Sequence, residues 1–541
     1  MTTLELRPPY SQDEIKQLYP PQLRLQHVQI LLRHGERTPI NARFASAGLA
    51  TYWPYCSAAR RLTSVILDPS VTKSGHDPAT NLGLTALEWK QRYETIGPDD
   101  SPIIVTGQNG ELDDICEMGM LTNRGRETTY NLGQRLRHLY INQLRFLPEN
   151  LTTDTDTAAI YLRATPIPRA LESLQQAFYG LYPPSTRGSD PGHHPPTILT
   201  RMAADETLFP NDGNCRRFAT LSRAFAKRCA ERWNDSDEMA YLNKRLSRWM
   251  PEENPRVAVD SRPRLSGIMD TINSTKAHGP DTRLPKEFYD PEVKRIIEKI
   301  GVEEWFAGYK ESQEYRMLGI GALLGDIVSR MVGSAEHTTA DGEYELATNK
   351  QGSITIHPSV KFAMSGCHDT TLAATLASLG AFNEEDWPPF TSHVAIELFR
   401  HANMSAVKPV GTCSLVGLGD QPKPSAGSPP PGIGRKKSSD LTEEEKDRLK
   451  GYYVRLRYND RPVTVPGCKP QGKHLDGNES FCTLVSTPCP PCFLSSLINT
   501  FFYQEAFKEI VDKFTPTDWK KQCRSNMTES AFPSRPEPPG Y

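Results

Sequence analysis

An apolar run followed at once by two arginines and a histidine constrains this chain of 541 residues more than any other feature. Residues 27–32, His-Val-Gln-Ile-Leu-Leu, are predicted to form a short buried strand, and Arg-His-Gly-Glu-Arg-Thr-Pro follows at 33–39. Such a strand presents His34 between Arg33 and Arg37 at the carboxyl edge of a sheet, where open α/β sheets bind ligands. Paired guanidinium groups suit a doubly charged phosphate, and a glycine between them lets backbone approach closely. The pattern therefore predicts a phosphate site with an imidazole positioned to attack phosphorus.

The motif R-H-G-x-R-x-P resembles the histidine acid phosphatase family, branch 2 of the histidine phosphatase superfamily, whose fold is phosphoglycerate mutase-like. The resemblance implies that His34 is transiently phosphorylated and that a His-Asp pair lies far downstream. This pair is present as His368-Asp369, after a predicted strand at 359–364. An apolar helical stretch at 372–379 follows and ends at Gly380, a typical helix stop.

The family also carries a third arginine after a third strand. Residues 158–162 form an apolar run that leads into Arg163-Ala164-Thr165, and Pro168-Arg169-Ala170-Leu171-Glu172-Ser173 follows. This resembles the family's Arg-Ser-Thr followed by Arg-x-x-x-Ser, with alanine at 164 where serine is common. The resemblance assigns Arg163 to the phosphate. Two weaker matches are residues 121–125, before a helix, and residues 388–398, as a late strand.

Each arginine and histidine of the predicted site has a distinct task in phosphate monoester hydrolysis. Arg33, Arg37 and Arg163 are expected to clamp the phosphate oxygens with bidentate hydrogen bonds that lysine could not match. His34 is expected to attack phosphorus as a neutral imidazole and to form a phosphohistidine, which water then hydrolyses. His368 is expected to donate a hydrogen bond to a phosphate oxygen.

Asp369 is the predicted general acid, which protonates the leaving alcohol and later activates water. A carboxyl group that must be protonated implies a raised pKa or an acidic optimum. No metal or other cofactor is required by this chemistry. Each residue alone has an ordinary explanation as well: Asp369 stands where a helix N-cap belongs, and Arg163 could simply pair with a carboxylate. The catalytic interpretation depends on three separate strands delivering such residues to one sheet edge.

The predicted fold class is α/β, with a mixed central sheet that carries helices on both faces and an inserted α-helical cap. Helical patterns replace strands in the middle of the chain, where the resembling family has its cap. A low-complexity stretch rich in Pro, Gly, Ser and Lys predicts a disordered insertion in a surface loop. The predicted parts are an N-terminal arm (1–21), the core (22–180 and 341–515, with the insertion at 409–450), the cap (181–340) and a C-terminal tail (516–541).

Composition argues against several classes of function. With 63 basic and 65 acidic residues the net charge is −2, so no overall field attracts nucleic acid. No segment reaches the roughly 18 apolar residues of a membrane span. The N-terminal residues lack the apolar core of a secretory signal. An intracellular, cytoplasmic location is therefore expected, with an organelle as the alternative.

The 11 cysteines bear on that expectation. Buried thiols are expected in the cytoplasm, and one or two disulfides in another compartment. Cys489 and Cys492 have the spacing of metal ligands. The second close pair that a zinc site would need is missing, so no metal is predicted.

The sequence thus predicts an acid phosphatase that hydrolyses phosphate monoesters through a phosphohistidine. Two alternatives are a phosphotransferase or mutase that uses the same intermediate and a non-catalytic phosphate-binding scaffold. The expected partner is a small-molecule phosphate ester. The resembling family acts on lysophosphatidate, inositol phosphates, sugar phosphates and phosphoproteins, and the lack of a strongly basic cap disfavours phytate. The sequence predicts no oligomeric state.

Overall fold

The computed structural model of the protein contains thirteen β-strands in the part of the chain that it describes. The described residues are 3–68, 83–188, 196–336, 360–382, 386–404, 433–486 and 506–541. The strands are β1 (Leu23–Arg33), β2 (Leu62–Asp68), β3 (Gly83–Trp89), β4 (Glu94–Ile96), β5 (Pro102–Ile104), β6 (Ile160–Ala164), β7 (Ile198–Leu199), β8 (Phe362–Cys367), β9 (His393–His401), β10 (Tyr452–Tyr458), β11 (Arg461–Val463), β12 (His474–Leu475) and β13 (Asn478–Thr483).

Nine of these strands form one mixed sheet, in the order β12-β13-β10-β9-β1-β8-β6-β7, with β11 paired to β10. Its centre is parallel, because β8 pairs in parallel with both β1 and β6, whereas β9 runs antiparallel to β1. In this register Arg33 lies beside Cys367, and Arg163 lies beside Ser365. The three strand ends that carry the predicted site residues therefore meet at one edge of the sheet.

Fourteen α-helices accompany the strands in the same described ranges. A π-helical turn, His138–Gln143, extends α2, and a second, Met317–Gly321, joins α9 to α10. The helices are α1 (Gln12–Leu18), α2 (Asn123–Arg137), α3 (Asp154–Ala158), α4 (Pro168–Leu181), α5 (Arg216–Trp233), α6 (Asp237–Leu246), α7 (Leu265–Ala277), α8 (Pro291–Glu311), α9 (Gln313–Arg316), α10 (Ala322–Glu336), α11 (Asp369–Ser378), α12 (Glu443–Arg448), α13 (Phe507–Asp512) and α14 (Trp519–Gln522).

Successive side chains of β1 point to opposite faces of the sheet, and helices pack on both faces. Val28, Ile30 and Leu32 join a core that contains residues of α2 and α4. Leu31 joins a second, larger core, to which α10 and α11 contribute. The predicted fold class, a mixed α/β sheet between two helical layers, is confirmed.

The predicted cap range contains several helices and also β7, a strand of the central sheet. Helices α5 to α9 lie within this range and share the larger core. Helix α10 lies against the sheet instead, where Arg330 donates a hydrogen bond to Gln29 of β1 over 3.3 Å. The division into core and cap stays a prediction, with 189–195 and 337–340 outside the described residues.

Part of the predicted disordered insertion is folded. Residues 433–450 contain α12, whose N-cap Thr442 and Glu445 form a reciprocal capping box. Ile433 and Leu449 are buried there. The prediction of disorder is therefore wrong for 433–450, because a few widely spaced apolar residues anchor a segment that is polar on average. Residues 409–432 lie outside the described residues.

Both predicted terminal segments also contact the folded protein. In the N-terminal arm the amide of Leu4 donates to the carbonyl of Phe390 over 3.0 Å. In the C-terminal tail the amide of Glu537 donates to the carbonyl of Glu311 over 2.8 Å. The arm thus reaches the segment that precedes β9, and the tail packs against α8.

Among the described residues, six cysteines form three disulfides, Cys56–Cys116, Cys215–Cys523 and Cys468–Cys482. Cys229 and Cys367 are free and buried. These pairs differ from the buried thiols expected of a cytoplasmic protein, and they exceed the one or two disulfides expected in another compartment. Two of the pairs are separated by 60 and 308 residues, so only the fold makes them neighbours. Cys489 and Cys492 lie outside the described residues.

One helical run is apolar enough to be compared with a membrane span. Gln313–Glu336 covers 24 residues, but 89% of its most apolar window is buried inside the protein. A run that is buried to this extent is typical of a helix in the protein core, so it is not a clear membrane span.

Candidate active site

The loop after β1 is held tightly between α2 and α4. The amide of Gly35 donates to Ser173 Oγ over 3.0 Å. A Cβ atom at Gly35 would lie 2.3 Å from the carbonyl oxygen of Gly125, so only glycine fits here. Glu36 is buried and accepts hydrogen bonds from Thr3 and Thr128, each over 2.6 Å. The contacts of Gly35 and Glu36 therefore hold this loop, and with it His34, in place.

His34 is buried, with a defined tautomer. Its Nδ1 atom lies 2.9 Å from the carbonyl oxygen of Gly35, and a carbonyl can only accept. Nδ1 therefore carries the proton, and Nε2 keeps its lone pair. Burial, and then the charges of Arg169, Arg37 and Arg33, lower the pKa of His34 well below its ordinary value. The side chain is a neutral imidazole that can act as a nucleophile.

Arg33 and Arg37 each pair with one carboxylate and keep unused donors. Arg33 Nη2 lies 2.7 Å from Asp369 Oδ2, and Arg37 Nη2 lies 2.8 Å from Asp270 Oδ1. The Nε atoms of both arginines are buried without a hydrogen-bond partner. Since buried donors are almost always satisfied in folded proteins, these atoms indicate a place for an anionic ligand.

Arg163 is engaged in ion pairs, and a further arginine, Arg169, acts electrostatically on His34. Arg163 is buried in an ion pair with Glu206, with 2.5 Å between Nη2 and Oε1, and its Nη1 lies 3.9 Å from Asp326 Oδ2. Arg169, in the first turn of α4, makes the largest charge contribution to the low pKa of His34. Its Nε is also buried without a partner, as is that of Arg163, so the charge contribution to His34 is what distinguishes the two arginines. The third guanidinium beside the imidazole is that of Arg169.

His368 is brought together with His34 as predicted. The two ring centroids lie 5.5 Å apart at an interplanar angle of 68°. His368 Nε2 lies 3.1 Å from the hydroxyl of Thr165, which follows β6. Burial, and then the charge of Arg169, lower the pKa of His368 to about 3. It is therefore also neutral in this state.

Asp369 begins α11, and its carboxylate points into the same site. Oδ2 accepts a hydrogen bond from Trp387 Nε1 over 2.9 Å, besides its ion pair with Arg33. Burial alone would raise the pKa of Asp369, but Arg33, the indole of Trp387 and Arg37 together outweigh burial and lower it. The raised pKa expected of a general acid is therefore absent in the ligand-free protein.

A cavity of about 290 Å³ opens beside Arg33, Arg37 and Asp369. A larger cavity of about 580 Å³, between residues 4–7 and 458–463, is lined by none of the predicted site residues. Among the described residues no three His, Cys, Asp or Glu side chains cluster as metal ligands. The lining of the smaller cavity includes Arg33, Arg37, Asp369, Asp270, Met269, Trp305, Trp387 and Phe390.

Four residues that shape the site, Arg169, Asp270, Glu36 and Trp387, were not identified as site residues from the sequence. Arg169 lies within the quoted Arg-x-x-x-Ser match, which offered a signal for it. Asp270, Glu36 and Trp387 carry no comparable local pattern, because they reach the site from α7, from inside the motif loop and from the segment before β9.

Comparison with known proteins places the chain in a family. Residues 24–459 match the profile of the histidine phosphatase superfamily (branch 2), and the chain belongs to this family. The prediction from R-H-G-x-R-x-P is thus confirmed. A protein of Schizosaccharomyces pombe named probable acid phosphatase is 36% identical over 523 residues, 94% of this chain and 95% of that protein.

More distant similarities were also found. Human lysophosphatidic acid phosphatase type 6 is 24% identical over 383 residues, which cover 70% of this chain and 74% of that protein. A solved structure, the Bifidobacterium longum multiple inositol polyphosphate phosphatase in complex with inositol hexasulfate, has 12% identity and a TM-score of 0.46, and covers 88% of this chain and 94% of that chain.

Proposed function

We propose that His34 is the nucleophile with which the protein hydrolyses phosphate monoesters, and that a phosphohistidine forms on its Nε2 atom. The protein is a phosphomonoesterase, a hydrolase of the histidine acid phosphatase family. The observation that carries the proposal is the tautomer of His34, whose Nδ1 donates to the Gly35 carbonyl over 2.9 Å. A neutral imidazole with a free Nε2 lone pair, surrounded by guanidinium groups, is what attack on a bound phosphate requires.

The phosphate is proposed to bind between Arg33, Arg37 and Arg169. Each has a buried Nε without a hydrogen-bond partner, which a phosphate oxygen would satisfy. A charge-assisted hydrogen bond of this kind contributes on the order of 1.5–3 kcal/mol. His368 is proposed to donate to a further oxygen, as the sequence suggested.

Asp369 is proposed to act as the general acid once substrate is bound. The dianionic phosphate offsets the guanidinium charges that lower the pKa of Asp369, so burial then dominates and the carboxyl group takes up a proton. In the first step the N–P bond forms, the P–O bond to the alcohol breaks, and Asp369 gives its proton to the leaving oxygen. In the second step water attacks phosphorus, Asp369 accepts its proton, and the N–P bond breaks.

Arg163 is proposed to position the site instead of binding phosphate. Its partner Glu206 accepts the amide hydrogens of Thr207 and Leu208 over 2.8 and 2.7 Å. The next residue, Phe209, packs edge-on against His368 with ring centroids 5.9 Å apart. The ion pair thus holds the segment that supports His368.

The test is to trap the intermediate. Protein mixed with a ³²P-labelled monoester is quenched in alkali, where phosphohistidine survives, and the label is mapped to a peptide. We expect the label on His34, no label in His34→Ala, and normal labelling in His474→Ala, the matched control. A label on another residue, or full hydrolysis by His34→Ala, would overturn the proposal. Equal, near-zero rates for wild type and His34→Ala would favour the scaffold alternative.

The same experiment separates hydrolysis from phosphate transfer. A hydrolase releases one phosphate for each alcohol, whereas a mutase or phosphotransferase passes the label to a second organic hydroxyl. We expect equal release of phosphate and alcohol in water.

The compartment is proposed from the cysteines. Three disulfides favour an oxidising compartment, because reducing systems keep cytoplasmic thiols reduced. This weighs against the cytoplasmic location expected from the N-terminal residues and favours the organelle alternative.

A further inference from the structure

A second carboxylate, that of Asp270, lies at the mouth of the proposed phosphate site. It comes from α7 and lines the same cavity as Asp369. Its Oδ1 pairs with Arg37 over 2.8 Å, while its Oδ2 accepts the amide hydrogen of Ile40 over 3.1 Å and lies 3.5 Å from Arg43 Nη1. Three donors from one loop therefore hold a negative charge beside a guanidinium of the clamp, in the lining of the cavity.

Among the described residues that line this cavity, each arginine already faces a carboxylate. Beyond Arg33 and Arg37, the arginines that line it are Arg43 and Arg264. Arg43 faces Asp270, and Arg264 is in an ion pair with Glu304. The cavity lining contains no lysine. A second phosphate on the substrate would thus meet the carboxylate of Asp270, with Arg43 beside that same carboxylate and Arg264 paired with Glu304.

The rest of the cavity wall is uncharged. Met269, Trp305 and Phe390 supply apolar surface, and Ser266 and Asn273 supply neutral polar groups. Trp305 is 42% exposed, so its ring is available to a ligand. Such a wall suits an organic group with hydroxyls or aliphatic carbon and without further charge.

We infer that Asp270 is a specificity-determining residue that restricts the enzyme to esters bearing a single phosphate on an otherwise uncharged organic group. The inference deepens the proposed function and depends on it. Two like charges about 7 Å apart at an effective dielectric constant near 40 reduce binding about tenfold for each unit of charge. Rejection of a second phosphate by a factor of about 10–100 follows from this repulsion.

The test compares substrates that differ by one phosphate. Fructose 6-phosphate and fructose 1,6-bisphosphate are assayed by phosphate release with wild type, Asp270→Asn and Asp235→Asn. The last is the matched control, because its side chain is 94% exposed and pairs with Arg256 at the surface. We expect Asp270→Asn to raise the bisphosphate-to-monophosphate ratio of kcat/KM about tenfold, since the repulsion is removed and Arg43 is freed. Asp235→Asn should leave the ratio unchanged.

A second variant covers the case in which Asp270→Asn does not fold. Ser266→Lys adds an unpartnered cation to the same cavity from the first turn of α7 and should raise the ratio in the same direction. Equal wild-type kcat/KM values for the two fructose phosphates, or a ratio that neither variant changes, would overturn the role of Asp270 and leave the proposed function standing. A wild type that cleaves no monoester, or no faster than His34→Ala, would instead overturn the proposed function and, with it, this inference.

Discussion

Arg169 and Arg163 lie six residues apart, and the different roles proposed for them can be separated by one pair of substitutions. Replacing each by methionine keeps the length of the side chain and removes the guanidinium. Arg169 has a buried Nε without a partner, and burial with the nearby charge of Arg37 lowers its pKa to about 10. In Arg169→Met one donor to the developing charge is lost, which costs about 10²–10³-fold in kcat. Stability should stay level or rise, because a buried charge beside like charges is removed.

Arg163→Met should have the reverse profile. Its loss leaves the carboxylate of Glu206, which is fully buried, without its cation. Breaking a buried ion pair from one side destabilises a protein by about 3–5 kcal/mol. We expect a clear fall in Tm, with kcat/KM of the folded fraction reduced less than about tenfold through the disturbed support of His368.

The assay combines two readouts on each variant. Steady-state kcat/KM is measured with p-nitrophenyl phosphate, and Tm is measured by calorimetry with and without inorganic phosphate. Phosphate should raise the Tm of wild type and Arg163→Met but not of Arg169→Met. If Arg163→Met lost activity by two orders of magnitude at an unchanged Tm while Arg169→Met kept its activity, the assignment of the third arginine to Arg169 would be refuted.

Three further outcomes are expected. Burial and the charges of Arg169, Arg37 and Arg33 lower the pKa of His34. The value of kcat/KM for p-nitrophenyl phosphate, corrected for substrate ionisation, should therefore not fall with a midpoint near the ordinary histidine pKa of about 6.5 as the pH is lowered. A midpoint there would contradict a neutral nucleophile. Although burial opposes the shift, Arg455 and Arg457 lower the pKa of Glu397 to about 2. The contribution of Glu397 to stability is therefore complete above the pKa of the unfolded chain, near 4.5, and is lost as the pH falls toward 2. The free energy of unfolding in urea should lack this pH dependence in Glu397→Gln. Cys523→Ser opens the bond to Cys215 and should lower the free energy of unfolding by about 2–4 kcal/mol, whereas Cys229→Ser, at a free cysteine, should change it much less.

Local patterns predicted the parts of the site that depend on neighbours in sequence. The run at 27–32 is the end of β1, and the predicted strand before the His-Asp pair is β8. The helix expected after that pair is α11, which begins at Asp369 itself. In each case an apolar run and the turn that follows it decide where the functional side chain emerges, so the sequence contains the required information.

The third arginine could not be chosen in this way. Arg163 lies in β6 and Arg169 lies in the first turn of α4, and both follow the same apolar run. Which of them reaches the imidazole depends on Glu206, a residue 43 positions later that neutralises Arg163. The ordinary explanation for Arg163, an ion pair with a carboxylate, is the one that the structure supports. The role of Asp270 could not be predicted from the sequence either, since only tertiary packing brings α7 to the arginines of the clamp.

The low pKa of Asp369 in the free protein and its proposed role as an acid have one electrostatic explanation. In the free state Asp369 pairs with Arg33 and Asp270 pairs with Arg37, so two carboxylates partly neutralise three guanidinium groups. A dianionic ester reverses the net charge of the site, and one proton taken up by Asp369 restores neutrality. Asp369 takes up this proton because the penalty that desolvation places on its charged form is then no longer opposed by Arg33. Substrate binding itself therefore protonates the acid, and the pH dependence of turnover should follow the substrate complex and not the free enzyme.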